Sequence, residues 1–159
     1  MTDIVAQQLT AEAFAPFGYV SETGDISSQL SVTQAYEGAQ EATLPVLNIV
    51  RMKGIAERAQ VSQLEIHPYS NQTFLPLDSM PSMIVVCEKA SDGTPDVSSM
   101  KAFIAQPNQI VTYRQGVLHH LLTPVGAKGL FAMTMRQTGR GDDTVIYELV
   151  KPVSVTIPD

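Results

Sequence analysis

Glu65, His67 and Gln72 lie in the stretch LEIHPYSNQTFLPL, residues 64–77, and a His119-His120 doublet follows Gly116 in QGVLHHLL, residues 115–122. Imidazole nitrogens together with carboxylate and carboxamide oxygens are donors for Ni2+, Mn2+, Fe2+ or Zn2+, rather than for a thiolate-seeking ion. In an extended chain residues two apart share a face, so Glu65 and His67 point together while Leu64 and Ile66 point the other way. Neighbouring strand residues face oppositely, so one histidine of the doublet joins such a set and the other is left for packing, an interface or proton transfer. On these residues alone two readings are open: a metal-ligand set, or a histidine hydrogen-bonded to a nearby glutamate.

Strands must hold those side chains. Stretches rich in β-branched residues and bounded by turn residues predict strands over Leu30–Tyr36, Val46–Met52, Val61–His67, Gln72–Leu77 and Ser82–Glu88. Further strands are expected over Lys101–Ala105, Gln109–Arg114, Leu118–Thr123, Leu130–Arg136 and Val145–Val150. Thr10–Phe14 reads as a short helix capped by Thr10 and stopped by Pro16, and Val97–Met100, after the loop SDGTPD, as one helical turn. About ten short strands with few helical patterns predict an all-β sandwich or barrel. With no repeat, low-complexity tract or linker, residues 1–159 are expected to form a single domain.

Composition narrows the function. A net charge of −6 and a pI near 4.9 exclude a non-specific nucleic-acid binder and do not suit an anionic membrane surface. An anionic ligand would need local cations to capture it against that field. Cys87 is the single cysteine, so no intramolecular disulfide forms, and its apolar surroundings predict a buried thiol. The N-terminal residues lack a basic and an apolar region, and no apolar run approaches membrane-spanning length, so a cytoplasmic protein is expected.

The spacing Glu65-x-His67-x4-Gln72, with Gly116-x-x-His119 far downstream, resembles the two motifs of the cupin superfamily. That resemblance implies a cupin-type double-stranded β-helix, a β-barrel with one or two short helices. It also implies one divalent metal inside the barrel held by Glu65, His67, Gln72 and His119, and it selects His119 over His120 as the inward member of the doublet. Longer segments are more specific. LTAEAFAPFG (9–18), LEIHPYSNQTFLPL (64–77), GTPDVSSMKAF (93–103) and VTYRQGVLHHLL (111–122) are similar, in order and spacing, to the ureidoglycolate lyase family.

Membership in that family implies a dimeric enzyme that cleaves ureidoglycolate to glyoxylate and urea in allantoin and purine degradation. The metal would be Ni2+, with Mn2+ or Zn2+ as alternatives. Cleaving an α-hydroxy carboxylate in this way needs a base for the hydroxyl and an acid for the departing nitrogen, and Glu65, His119 and His120 are the candidates. Arg51 stands where the family carries arginine, and Lys101 at another arginine position; both are candidates for the substrate carboxylate. The chain departs from the family's pattern at Val50, Leu118, Leu121 and Met135, where polar or aromatic groups are usual, and at Tyr113-Arg114 and Ser79. The alternatives are a divergent cupin acting on another small ureido or 2-hydroxy/2-oxo acid, or a non-catalytic cupin that binds a small metabolite.

Overall fold

The computed structural model describes residues 3–159. In chain order the elements are β1 (Asp3–Val5), β2 (Gln7–Gln8), α1 (Ala11–Phe14), β3 (Gly18–Glu22), β4 (Leu44–Met52), β5 (Arg58–Ile66), β6 (Gln72–Pro76) and β7 (Ser82–Lys89). They continue with β8 (Pro95–Ala105), β9 (Gln109–Tyr113), β10 (Leu118–His119), β11 (Thr123–Pro124), β12 (Gly129–Gln137) and β13 (Val145–Thr156). The helix is the one foreseen: the Thr10 hydroxyl accepts from the Ala13 amide at 3.1 Å, and Pro16 follows its last turn.

The strands form two sheets. One runs β1-β13-β5-β10-β7-β8-β2, with β11 alongside β7, and the other runs β3-β9-β6-β12-β4. From β4 to β6 successive strands alternate between the sheets, and after the β7-β8 pair they alternate again to β12, with β10 and β11 together in the larger sheet. The resulting blocks, β5-β10-β7-β8 facing β4-β12-β6-β9, are the two four-stranded halves of a jelly roll, the architecture of cupins. The expected all-β, cupin-type barrel with one short helix is therefore what the described residues form.

Two apolar clusters sandwich the larger sheet. Along β7, Ile84 and Val86 belong to the inner cluster with Phe14, Phe74, Phe103, Tyr113 and Phe131, while Met83, Val85 and Cys87 belong to an outer one with Val61, Leu64, Ile66 and Val155. Burial on both faces explains why β7 reads as an unbroken apolar run.

Irregular register decides which side chains reach the interior. Ala59, Val61, Leu64 and Ile66 all lie in the outer cluster, so the phase of β5 slips between Val61 and Leu64. The slip sits opposite a bulge in β13, where the pairing steps from Glu148↔Gln63 to Val153↔Val61. A one-residue slip exchanges the two faces of a strand, and here it turns Glu65 and His67 into the barrel. The predicted strand Leu118–Thr123 is likewise broken into β10 and β11. His119 pairs with Val86 and Thr123 with Met83, four steps against three, so one residue is extra and Leu121 is pushed out to 53% exposure.

Two sequence expectations are corrected. Leu30–Tyr36 is not a strand but part of a turn-rich cover over the smaller sheet, because its backbone finds side-chain partners rather than a strand edge. Asn71 Nδ2 donates to the Gln34 carbonyl and the Thr134 hydroxyl to that of Ala35. Val97–Met100 is not helical but a bulge within β8, where the pairing jumps from Glu88↔Asp96 to Val86↔Lys101. The local bonds that resemble a helical turn are real: Ser98 and Ser99 both fold back on Asp96.

Candidate metal centre

Two rows of side chains face each other inside the barrel. Across the larger sheet, the register aligns Glu65 (β5), His119 (β10), Val86 (β7) and Lys101 (β8). Across the smaller sheet it aligns Gly18 (β3), Tyr113 (β9), Gln72 (β6), Met135 (β12) and Val46 (β4). His67 lies two residues beyond Glu65 on the same face. Gly18 is dictated by its position, since a Cβ there would come within 1.9 Å of the Thr112 carbonyl oxygen.

Three of the four expected ligands converge. Glu65 Oε1 is 3.4 Å from His119 Nε2 and 3.5 Å from His67 Nε2, and the three donor atoms lie within 4.8 Å of one another. The outer nitrogens fix the tautomers. His119 Nδ1 donates to the Val117 carbonyl at 2.9 Å, and His67 Nδ1 to the Asp143 carbonyl at 3.1 Å, with the Thr144 hydroxyl 3.3 Å away. A carbonyl oxygen only accepts, so each Nδ1 carries a hydrogen, and in the neutral tautomer that this selects Nε2 turns a lone pair toward Glu65. Both Nε2 atoms are buried without a hydrogen-bond partner. Two lone pairs and a carboxylate repel unless a positive charge sits among them, so the donors suit a divalent cation.

Gln72 belongs to the facing row, and its Oε1 is also buried and unpartnered. Without a cation, burial opposes ionisation of Glu65, and protonation of His119 and then His67 at Nε2, which would turn those lone pairs into donors to Oε1, more than offsets that burial and holds the carboxyl below the usual carboxylate range. The Tyr113 ring stacks on His119, with centroids 4.2 Å apart and planes at 15°. Its hydroxyl is buried and unpartnered, and burial, reinforced by the charge of Glu65, pushes its pKa up.

The remaining expected residues divide. Lys101 shares the row of Glu65 and His119 and is exposed at the barrel mouth, its Nζ 5.8 Å from the Phe17 ring centroid. Arg51 is not brought to the centre. It is exposed, and its neighbours Val50 and Met52 pack against the inner cluster, so strand alternation directs it outward. His120 stands outside the ligand group, its Nδ1 donating to the Gln63 carbonyl at 3.1 Å, yet near enough for the charge of Glu65 to act on it. Cys87 is buried as expected, its thiol donating to the Asp96 carbonyl at 3.1 Å. Tyr113 was noted in the sequence only for its neighbour Arg114; the inward alternation of Gln109, Val111 and Tyr113 was the signal that places it.

Burial lowers the pKa of His120, against the raising effects of its bond to Gln63 and the charge of Glu65. The unfolded chain then binds more protons than the folded one below about pH 6.5, the ordinary histidine value. The stabilising contribution is complete above that pH and is lost as pH falls through the depressed folded value. Urea midpoints of metal-free protein between pH 5 and 8 are expected to fall on acidification, and His120→Gln to flatten that slope.

A jelly-roll barrel carrying an inward Glu/His/His set defines the class as a cupin with the donors of a metal centre. The chain belongs to the ureidoglycolate lyase family: the family model described as ureidoglycolate lyase matches residues 1–156. It is 56% identical over 159 residues to a putative ureidoglycolate lyase of Agrobacterium fabrum, covering 100% of this chain and 98% of that one. It is 32% identical to the ureidoglycolate lyase of Chelativorans sp., covering 100% and 99% of the two chains. The ureidoglycolate lyase of Schizosaccharomyces pombe is also 32% identical, with 97% and 95% covered.

Proposed function

We propose that the chain is a metal-dependent lyase that cleaves ureidoglycolate to glyoxylate and urea in allantoin and purine degradation. The observation that carries the reading is the convergence of Glu65 Oε1, His67 Nε2 and His119 Nε2 inside the barrel of a chain from this family. These three would hold the ion, Ni2+ in this reading with Mn2+ or Zn2+ as alternatives, and Gln72 Oε1 would be the fourth donor. When bound, a divalent ion supplies Lewis acidity that lowers the pKa of the substrate hydroxyl.

The chain's own residues do the rest. Lys101, in the same row as His119, meets the substrate carboxylate with its ammonium group. Glu65 and His119 are engaged as ligands, which leaves His120 to move protons. Its Nδ1 hydrogen is committed to Gln63, so Nε2 is free to take the hydroxyl proton, and burial keeps the ring neutral and receptive. Inner-cluster residues such as Phe74 and Phe131 keep water from the interior beyond the ligand group.

The test is to load the protein separately with Ni2+, Mn2+ and Zn2+, add racemic ureidoglycolate and follow glyoxylate. Metal-dependent release is expected; a rate no higher than buffer alone with every ion would sink the reading. A cytoplasmic homodimer completes it. What supports a dimer is the family resemblance and the exposed apolar run of Val145, Ile146 and Val150 on β13. Sedimentation as a single 17.2 kDa species would count against it.

A further inference from the structure

Among the described residues, four buried side-chain polar atoms lack a hydrogen-bond partner: His67 Nε2, His119 Nε2, Gln72 Oε1 and the Tyr113 hydroxyl. The two histidine nitrogens converge with Glu65 as a donor set for one cation, and Gln72 Oε1 is an electron-pair donor of the proposed fourth ligand. The Tyr113 hydroxyl is not explained that way, because a neutral phenol offers a hydrogen to an acceptor. An unmade hydrogen bond in an apolar surround is costly, and the cost here is attached to a rigid group. The ring is stacked on His119 and held by Phe14 and Phe74, whose planes meet it at 66° and 84°. It stands between Gly18 and Gln72 in the row facing Glu65.

We infer that the Tyr113 hydroxyl donates a hydrogen bond to the ureido carbonyl oxygen of the substrate and is a specificity-determining catalytic residue. The assignment rests on the proposed lyase reading. Ureidoglycolate presents three kinds of oxygen: a carboxylate, a hydroxyl and a ureido carbonyl. Lys101 and the metal-ligand set account for the first two, leaving the carbonyl as the acceptor without a partner.

The reaction gives that contact a purpose. The hydroxyl proton passes to a base, the C–O bond becomes a carbonyl, and the C–N bond breaks. Its electron pair moves onto the ureido nitrogen, which takes up a proton as urea leaves. While that pair develops it is shared with the ureido carbonyl oxygen, so a donor fixed there binds the transition state more tightly than the ground state. Tyr113 keeps its own proton throughout.

The test compares wild type with Tyr113→Phe in metal-loaded protein. Calorimetry measures hydantoate, which carries the ureido and carboxylate groups but has no hydroxyl to deprotonate, and glycolate, which lacks the ureido group. Tyr113→Phe is expected to weaken hydantoate about 3- to 10-fold, the worth of one hydrogen bond, and to change glycolate by less than about twofold. Metal content stays the same, kcat for ureidoglycolate falls about 10- to 100-fold, and the thermal midpoint holds or rises because an unpaired buried group is gone. Unchanged hydantoate binding, an equal loss for both acids, or a lower thermal midpoint overturns the assignment. Wild-type protein that produces no glyoxylate overturns the lyase reading instead, and the hydantoate–glycolate contrast still decides the role of Tyr113. Binding of neither acid by wild type overturns both.

Discussion

The His119→Ala variant is expected to bind divalent metal at least about 100-fold more weakly and to lose about a thousandfold in kcat/KM. The effect is large because one side chain serves three neighbours. Its Nε2 faces Glu65 at 3.4 Å, its ring faces Tyr113 at 4.2 Å, and its Nδ1 closes onto the Val117 carbonyl. Truncation removes a ligand and frees the tyrosine ring together. His119→Asn, which keeps a buried polar side chain, separates loss of the ligand from loss of packing. Elemental analysis after dialysis, beside steady-state kinetics, decides the matter; stoichiometric metal with wild-type turnover in either variant would remove His119 from the centre.

Phe131→Ala is expected to lower unfolding stability by about 3–5 kcal/mol, the usual range for emptying a buried aromatic site. Phe131 is 1% exposed, on β12 between β6 and β4, and meets Phe74 edge-on with centroids 6.3 Å apart. Phe74 in turn meets Tyr113. The aromatic chain thus runs along the inner face of the smaller sheet, from β12 through β6 to the β9 ring that faces His119, and a cavity at its end loosens the whole series. Urea unfolding of metal-free protein measures the loss without ligand linkage. A change under about 1 kcal/mol would mean that the barrel wall collapses onto the cavity.

Much of the centre could be read from residue types and spacing, since Glu65 and His67 lie two apart on a strand and His119 follows a glycine at the second motif's interval. What could not be read was why those residues face inward. Continued alternation from Val61 would have sent Glu65 and His67 to the outer cluster. The slip that reverses them comes from a bulge in β13, far away in sequence, with which β5 pairs. Arg51 illustrates the opposite limit: a family position and the right charge placed it at the substrate, whereas the packing of Val50 and Met52 turns it outward. Leu30–Tyr36 had the composition of a strand, but its Gln34 and Ala35 carbonyls are taken up by the Asn71 and Thr134 side chains, and these tertiary partners decided its conformation. Alternation along β9 turns Tyr113 inward, but the partner that gives it significance, His119 across the barrel, is legible only in the fold.

The anchor of His67 also bears on how the protein is made. Its Nδ1 acceptor is the carbonyl of Asp143, in the connection between β12 and β13, which is itself pinned by the Thr138 amide on the Asp143 carboxylate. The acceptor lies 76 residues downstream of the imidazole, so synthesis has passed β12 before this ring acquires the partner that fixes its hydrogen. Nascent chains released short of that connection contain every ligand residue but lack the acceptor that selects the ligating tautomer. Under the proposed metal-dependent reading, metal capture would be reserved for chains that extend through Asp143.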